Sequence, residues 1–148
     1  MSTLVVNKRA NFDYILLEQY EAGLVLSGQE VKSARAGQVS LKESFVTVKN
    51  GELYLTNAFI SPYKQAGLNR FFDPTRPRKL LLKKSQIRQL IGKIRAQGLT
   101  LVPLRLYTKR RLLKLAFAVG KGKKQFDKRQ TIAKREAKRN IDRALKNS

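Results

Sequence analysis

Alternating apolar residues on both sides of one dipeptide constrain the fold of this chain more than any other feature. Val46 and Val48 precede Asn50-Gly51, and Leu53 and Leu55 follow it. Apolar side chains two residues apart line one face of a strand, and Asn-Gly supplies the two positive φ angles that a type I′ turn requires. The sequence therefore predicts an antiparallel hairpin with one buried face.

The same alternation occurs near the end of the apolar part of the chain. Residues 100–106 and 113–119 alternate on either side of the polar break Lys109-Arg110-Arg111, which predicts a second antiparallel pair. Residues 14–20 and 79–82 indicate two further strands. The span 62–77 has no period and contains several Pro, Gly, Asn and Asp residues, so we expect a loop there.

Two segments have helical spacing instead. Apolar residues recur at i, i+3, i+4 and i+7 from Ile87 to Ile94, with Ser85 as the predicted N-cap and Gly98 just past the end. A shorter helix is predicted where Ser27-Gly28-Gln29-Glu30 fits the S-x-x-E capping box, with Gly37 as its terminator.

This order of elements predicts a mainly β fold. About six short antiparallel strands with two or three flanking helices are typical of a small closed barrel, and an OB-like barrel fits best because its open face and loops bind nucleic acid. Periodicity alone also allows an SH3-like barrel.

Positive charge divides the chain into two parts. The net charge is +22, and residues 109–148 hold 15 basic residues against 3 acidic ones. The last dense apolar series ends at Val119, after which Gly120-Lys121-Gly122-Lys123-Lys124 opens a stretch of Lys, Arg and Ala. We predict a folded body over residues 1–122 and a basic tail over residues 123–148.

The tail has too little apolar surface to order itself. Its apolar row is mostly alanine, and at about 25 cal/mol per Å² that area does not offset roughly 1 to 2 kcal/mol per residue of backbone ordering. Its like charges also repel one another until something neutralises them. We therefore predict a tail that is disordered when free and helical on an anionic partner. The row consists of Ala133, Ala137, Ile141, Ala144 and Leu145.

The composition excludes several classes of protein. The chain has no Cys and no His, which excludes disulfides, the usual zinc sites and catalysis by a Cys or His nucleophile. No apolar run approaches the roughly 18 residues of a membrane span, and the N-terminus lacks the apolar stretch of a signal peptide. We expect a soluble, cytoplasmic monomer with no membrane association, no metal and no cofactor.

Signals for catalysis are weak. Residues 120–124 lack the G-x-x-x-x-G-K-[ST] spacing of a phosphate loop. Glu30-Val31-Lys32 matches half of a metal-dependent nuclease site, for which Asp13, Glu18 and Glu21 are the only nearby carboxylates. An acidic residue in a basic protein is more often a salt-bridge partner or a helix cap. We therefore expect that the protein is not an enzyme, and nuclease activity is only an alternative function.

The charge favours nucleic acid as the partner. Each Lys or Arg that neutralises a phosphate releases condensed counterions. No helix-turn-helix, zinc-finger or zipper pattern is present, which favours RNA over sequence-specific DNA reading. Phenylalanines that could stack on bases are Phe12, Phe71, Phe72 and Phe126, although core packing is the more ordinary interpretation of Phe12 and Phe72.

Several blocks, in this order and at these separations, resemble the small protein B (SmpB) family of SsrA-binding proteins over essentially the whole chain. The blocks are Asn7-Lys8-Arg9-Ala10, Tyr14, Glu21-Ala22-Gly23, Gly28-Gln29-Glu30-Val31-Lys32-Ser33, Asp73-Pro74-Thr75-Arg76, Arg78-Lys79-Leu80-Leu81-Leu82 and Gly120-Lys121-Gly122-Lys123-Lys124-Gln125-Phe126-Asp127-Lys128-Arg129.

The resemblance implies an OB-fold adaptor of trans-translation. Such a protein binds the tRNA-like domain of transfer-messenger RNA (SsrA) and brings it, together with elongation factor Tu and GTP, to stalled bacterial ribosomes. By matching positions, Asn7, Glu21 and Leu81 correspond to residues needed for RNA binding. Asp127-Lys128-Arg129 corresponds to the tail that enters the decoding region of the small subunit and the empty mRNA channel.

Two sets of site residues follow as expectations. The first set is expected to bind RNA and the second to act in the tail on the ribosome. The RNA set is Asn7, Lys8, Arg9, Phe12, Glu21, Lys32, Arg78, Lys79 and Leu81, and the tail set is Lys121, Lys123, Lys124, Phe126, Asp127, Lys128, Arg129, Lys134, Arg135 and Ile141.

Three of these residues raise specific questions. The family usually has His where this chain has Phe12 and Phe126, and Phe keeps a stacking face but loses the ring nitrogens. The carboxylate of Glu21 would be repelled by phosphates. It can accept hydrogen bonds from base amino groups or 2′-hydroxyls, or hold a neighbouring Lys or Arg in place, and we favour the positioning role. A structural ribosomal protein with a similar basic barrel is the main alternative function.

Overall fold

The computed structural model describes residues 2–63, 71–123 and 125–146. These residues form nine strands and four helices, so the fold is mainly β. The strands are β1 (Ser2–Val6), β2 (Tyr14–Leu24), β3 (Val39–Ser40), β4 (Phe45–Lys49), β5 (Glu52–Thr56), β6 (Phe59–Ile60), β7 (Arg78–Leu81), β8 (Thr100–Lys109) and β9 (Leu112–Gly122). The helices are α1 (Ala10–Asp13), α2 (Gly28–Arg35), α3 (Lys84–Gln97) and α4 (Gln125–Lys146).

Six strands close into a ring. The order β8-β4-β5-β7-β2-β9 returns to its start because β9 also pairs with β8. Strand β1 pairs with the second half of β8, beyond Leu101, where β4 pairs with it. Every pairing is antiparallel. The short strands β3 and β6 form a separate two-stranded sheet. Because the ring is closed, few strand edges are left unpaired, and most backbone groups of these strands are hydrogen-bonded to a neighbouring strand.

The core lies inside this ring. Leu115, Phe117 and Val119 on β9 alternate inward and belong to one buried cluster, to which α3 contributes Ile87 and Leu90. A smaller cluster packs Ala34 of α2 against Leu106 on β8 and Leu113 on β9. No residue of α4 with a described side chain belongs to either cluster.

Both predicted hairpins are confirmed. In the first, Val46 pairs with Leu55, and Asn50 and Gly51 have φ angles of 52° and 74°. In the second, β8 and β9 pair from Thr100 to Lys109, with a register shift after Pro103. A proline has no N–H to donate, and a bulge is one of the few places where a strand accepts it.

The two predicted helices are also present, but one cap was wrong. Helix α2 has the predicted capping box, with Ser27 and Glu30 bonded to each other's backbone N–H. Helix α3 ends at Gly98, whose φ of 63° is left-handed, but its N-cap is Lys83 rather than Ser85, and no side-chain cap bond forms there. Residues 83 and 84 are both lysines, so this helix begins without the usual polar cap.

The tail differs from the disorder expected of the free chain, because the structure places Gln125–Lys146 in helix α4. A helix is the conformation predicted for the bound state, so disorder of the free tail stays a prediction. Part of the predicted 62–77 loop, residues 64–70, lies outside the described residues, and the parts on either side of that gap contain no helix or strand.

Candidate RNA interface

Four neighbouring strands place a group of polar residues and one leucine on the outer face of the ring. On β2, Glu21 and Gly23 flank the core residue Ala22 and point outward. Gly23 pairs with Leu81 on β7 and with Lys114 on β9. We call this outer face the Glu21 surface, which comprises Glu21, Gly23, Leu81, Tyr107, Lys109 and Lys114.

The Glu21 carboxylate is held by two neighbours on β8. The Tyr107 hydroxyl donates a hydrogen bond to Oε2, and Lys109 Nζ lies 3.4 Å from Oε1 and 3.5 Å from Oε2. The Tyr107 bond is the main cause that lowers the pKa of Glu21, aided by the charges of Lys109 and Lys114 and opposed by burial. Glu21 is therefore ionised at neutral pH, with its charge balanced from within the protein.

Tyr107 is the buried member of this group. Its burial, followed by the bond to Glu21, raises the pKa of its hydroxyl to about 12, so that the hydroxyl stays a donor. The Arg105 guanidinium stacks 4.3 Å from the centroid of its ring, and Arg105 also donates to the Thr3 hydroxyl at 3.0 Å. The position of the Glu21 carboxylate is thus fixed through a chain of contacts that reaches β1.

Leu81 supplies an apolar contact on the same surface, because its side chain is 52% exposed. A Cβ at Gly23 would lie 3.3 Å from the Leu81 Cβ, so glycine at this position avoids a close contact with that leucine. A shallow groove beside Leu81 is also lined by Lys114, Leu112 and Arg111. This groove is lined mainly by apolar side chains and can accept the face of a base beside the cationic Arg111 and Lys114.

Asn7 turns its amide inward. Its Nδ2 donates to the Pro103 carbonyl at 2.8 Å, and its Oδ1 accepts from the Arg9 backbone N–H at 3.2 Å. Its own N–H donates to the Leu104 carbonyl at 2.7 Å. The side chain therefore fixes the start of α1 against β8, while Lys8 beside it is exposed.

Phe12 lies half-buried between two arginines. The Arg9 guanidinium is 4.5 Å from the ring centroid, and that of Arg135 on α4 is 5.8 Å from it. Arg9 also pairs with Asp13 at 3.3 Å. Since Phe12 belongs to neither buried cluster, core packing does not account for it. Both contacts of the ring are with guanidinium groups of the protein itself, so stacking of Phe12 on an RNA base stays a prediction.

The root of the tail is attached to the same short helix. The Lys123 N–H donates to the Asp13 carbonyl at 2.9 Å, and its Nζ donates to the Asn11 carbonyl at 2.6 Å. Helix α1 therefore contacts both the body and the start of the tail.

The two remaining exposed lysines of the RNA set lie on other elements. Lys32 is exposed on α2, with Nζ 5.7 Å from the centroid of the Tyr63 ring. Lys79 on β7 is half-exposed and lies 3.9 Å from a carboxylate oxygen of Glu52. Both ammonium groups are free to move toward a phosphate, because weak surface contacts of this kind contribute little energy.

Arg78 requires a correction, because its side chain is fully buried and cannot reach a phosphate. Its guanidinium pairs with the Glu30 carboxylate at 2.7 Å and donates to the Ala58 and Pro74 carbonyls at 2.5 and 2.9 Å. Burying a guanidinium is unfavourable unless it is paired and hydrogen-bonded, as it is here. Sequence reasoning placed Arg78 with the surface cations because charge alone does not distinguish a buried arginine from an exposed one.

Glu30 is the matching buried carboxylate. Burial opposes its ionisation, but bonds from Arg76, the Ser27 N–H and Arg78 outweigh burial and lower the pKa of Glu30. Glu30 is thus the cap and salt-bridge partner that we expected rather than a nuclease ligand. Among the described residues, no group of three or more His, Cys, Asp or Glu side chains could hold a metal ion.

The described side chains of α4 are exposed, whereas Lys123 at the root of the tail is half-buried. Lys121 lies near the end of β9, opposite Ile15, and the residues that face solvent along α4 include Arg129, Lys134, Arg135 and Ile141. Phe126, Asp127 and Lys128 lie in the first turns of the helix, whereas Lys124 lies outside the described residues. No helix in the described ranges is long and apolar enough to cross a membrane.

Sequence reasoning missed most of the Glu21 surface. Tyr107, Lys109, Lys114 and Arg105 were not among the candidates, yet they hold or flank the Glu21 carboxylate. One signal was available, because Lys114 alternates with two inward leucines and must therefore point outward. The register between β2, β9 and β8 was not available, and that register decides which residues face Glu21.

Comparisons with known proteins agree over most of the chain. The family model "SmpB protein" matches residues 4–147. An SsrA-binding protein of Desulforudis audaxviator is 54% identical over 97% of this chain and 94% of its own length. That of Halothermothrix orenii is 55% identical over 95% and 90%, respectively. A solved structure described as "tmRNA-SmpB: a journey to the center of the bacterial ribosome" is 45% identical, with a TM-score of 0.67 over 86% of this chain and 93% of that one.

Proposed function

This chain belongs to the SmpB family, and from that premise we propose that it is the RNA-binding adaptor of trans-translation. It binds the tRNA-like domain of transfer-messenger RNA and delivers that RNA to stalled ribosomes. The SsrA-binding relatives and the matching tmRNA-SmpB structure support this role. The adaptor performs no chemical step, acts in the cytoplasm as a monomer and needs no cofactor. Elongation factor Tu and GTP join the complex through the RNA.

The body serves as an OB-like barrel in this proposal. The six-stranded antiparallel ring, its internal apolar cluster and the packing of α3 against that cluster support this assignment. OB-type barrels bind nucleic acid on one face and its bordering loops. The Glu21 surface is the corresponding face here.

The Glu21 surface is the single observation that carries the proposal. A carboxylate near RNA phosphates is repelled unless its charge is balanced, and here Lys109 balances the charge while the Tyr107 hydroxyl hydrogen-bonds to the carboxylate. Glu21 in turn limits where Lys109 can go, and Leu81 offers an apolar contact beside it. Fixed cations and a satisfied carboxylate favour one RNA shape over a random polyanion, since a diffuse positive surface has no such preference.

Asn7 and Glu21 act by positioning in this scheme. Asn7 holds α1 on β8, and Glu21 holds Lys109. Lys8, Arg9, Phe12, Lys32 and Lys79 are then the flexible contacts to RNA around the fixed surface. Arg78 stabilises the fold beneath them.

The tail, residues 123–148, occupies the decoding region and the empty mRNA channel of the small subunit. Its helical conformation in α4 supports a bound state in which ribosomal phosphates neutralise it. Lys121 and Lys123 lie at its root, and contacts farther along come from Phe126, Asp127-Lys128-Arg129, Lys134, Arg135 and Ile141, with Lys124 preceding α4.

Truncation after Gly122 tests the division between body and tail. Both apolar clusters end at or before Val119, so the shortened chain keeps its core. It should bind the tRNA-like domain as tightly as the full chain, within about threefold at moderate salt, and should lose peptide tagging on stalled ribosomes. Equal loss of both activities contradicts the proposal. Constant, stoichiometric presence on salt-washed subunits would instead indicate a structural ribosomal protein.

A further inference from the structure

Two hairpins in this protein share one turn geometry but differ sharply in sequence. Between β4 and β5, Asn50 and Gly51 have φ angles of 52° and 74°. Between β8 and β9, Arg110 and Arg111 have φ angles of 51° and 67°. Each turn has two residues and is closed by a pair of strand residues directly before and after it.

Only the first of these sequences suits the geometry. A type I′ turn places both central residues in the left-handed region, for which Asn-Gly is strongly preferred. In that region the Cβ of an ordinary residue crowds the following carbonyl oxygen. Two consecutive arginines therefore hold an unfavourable backbone, and departures from local preference of this kind occur mostly at functional sites.

The arginine turn borders the Glu21 surface. Lys109, immediately before the turn, contacts Glu21, and Arg111 lines the groove beside Leu81. The Arg35 guanidinium donates to the Arg111 carbonyl at 2.6 Å, which fixes the turn against α2. Turn position and orientation are thus set by contacts on both sides.

The arginine side chains themselves are exposed and available. Neither Arg110 nor Arg111 forms an ion pair with any carboxylate among the residues that the structure describes. Exposed guanidinium groups bind phosphate through two parallel hydrogen bonds, which lysine does not reproduce.

We infer that Arg110 and Arg111 are an arm of the RNA interface that binds the phosphodiester backbone beside the Glu21 surface. This inference rests on the proposed function and adds two contact residues to it. The two-residue turn holds two adjacent arginines at a fixed place beside the groove, which a longer and more flexible loop would not do.

The double variant Arg110→Asn/Arg111→Gly tests this arm, because it copies the sequence of the other hairpin. Stability and RNA binding should change in opposite directions. The melting temperature should rise by at least about 2 °C as the strain is removed. Affinity for a transcribed tRNA-like domain should fall roughly tenfold or more at 0.1 M salt, and the logarithmic salt slope should become shallower by about 1.4 to 1.8, as expected for two lost phosphate contacts.

The matched control is Lys83→Gln/Lys84→Gln at the start of α3. It removes the same charge from exposed residues that belong to no part of the proposed interface. Its affinity should fall less than threefold, and its salt slope should change by less than about 0.5.

Two outcomes overturn the inference. One is a turn variant that binds as tightly as the parent, or that loses no more affinity than the control. The other is a turn variant that is less stable than the parent, because its weaker binding would then follow from damage to the fold. Failure of the proposed function is a separate result, in which the unmodified chain itself shows no preference for the tRNA-like domain.

Discussion

Glu30 and Glu21 are both ion-paired carboxylates in a strongly basic chain, but their surroundings give them opposite roles. Glu30 is buried in the first turn of α2, where two arginines and a backbone N–H satisfy it. Glu21 is part-exposed on β2, where Tyr107 and Lys109 hold it. The buried ion pairs join α2 to β7 and to the segment before it, whereas the exposed pair leaves Lys109 at the surface, where it can contact a partner.

The difference shows what burial does to one kind of side chain. In the interior, each lone pair of a carboxylate must find a donor, and losing one partner leaves an uncompensated charge. At the surface, water replaces a lost partner, so the pair contributes little to stability and its geometry can serve recognition. Variants of the two glutamates should therefore separate stability from RNA binding.

Replacing Glu30 by Gln should have the largest effect on the fold. It leaves the fully buried Arg78 without its counter-ion, which should reduce the free energy of unfolding by about 3 to 5 kcal/mol. Urea denaturation measures this change. The matched variant Glu21→Gln should lose less than about 1 kcal/mol, so similar losses from the two variants would remove the distinction.

Acidification should reproduce part of that loss. Because the pKa of Glu30 is lowered in the folded state, its ion pairs stabilise the fold fully above the ordinary carboxyl pKa of about 4.3. That contribution is lost as the pH falls through the lower folded-state pKa. The stability difference between the parent and Glu30→Gln should therefore shrink below about pH 4. A difference that stays constant down to pH 3 would contradict this.

Removing the Tyr107 hydroxyl should affect recognition more than folding. Tyr107→Phe keeps the buried ring but frees the Glu21 carboxylate, which should weaken binding of the tRNA-like domain about tenfold, since bonds to charged groups contribute ~1.5 to 3 kcal/mol. Filter binding over several salt concentrations measures the effect. Tyr20→Phe is the matched control, because Tyr20 also donates to an exposed carboxylate, that of Glu18, at 2.6 Å. Equal affinities for the two variants would show that the Tyr107 bond has no positioning role.

The smallest effect is expected from Gly23→Ala. The added Cβ would lie 3.3 Å from that of Leu81, which must move by a few tenths of an ångström. Stability should change by less than about 1 kcal/mol, and RNA affinity should fall measurably but by less than in Tyr107→Phe. Gly28→Ala, where a Cβ meets nothing within 4 Å, should leave RNA affinity unchanged. A larger loss from Gly28→Ala than from Gly23→Ala would exclude the packing of Leu81 as the cause.

Local patterns predicted local structure well. Asn50-Gly51 correctly predicted one hairpin, the Ser27–Glu30 capping box predicted the start of α2, and Gly98 predicted the end of α3. The strands β1, β3 and β6 and the helix α1 were not predicted, because they are short and depend on pairing or packing with distant segments. The second hairpin was found from its strands alone, since Arg110-Arg111 has none of the usual turn chemistry.

The candidate site was less predictable than the fold. Glu21 and Leu81 entered through the family resemblance, because neither stands out by charge or periodicity. Tyr107 was missed, since the sequence does not reveal that β8 presents it to β2 across β9. Arg78 was wrongly placed at the surface, because the sequence does not reveal that it pairs with Glu30, which is 48 residues away. In each case the missing information was a long-range pairing.

A competition experiment at near-physiological ionic strength tests the central claim most directly. The full chain is bound to a labelled tRNA-like domain and challenged either with the same RNA unlabelled or with random RNA of equal length. We expect the specific competitor to be at least tenfold more effective for the parent, and this advantage to disappear in Glu21→Gln. Equal competition by the two RNAs against the parent would contradict the claim that the Glu21 surface recognises a folded RNA.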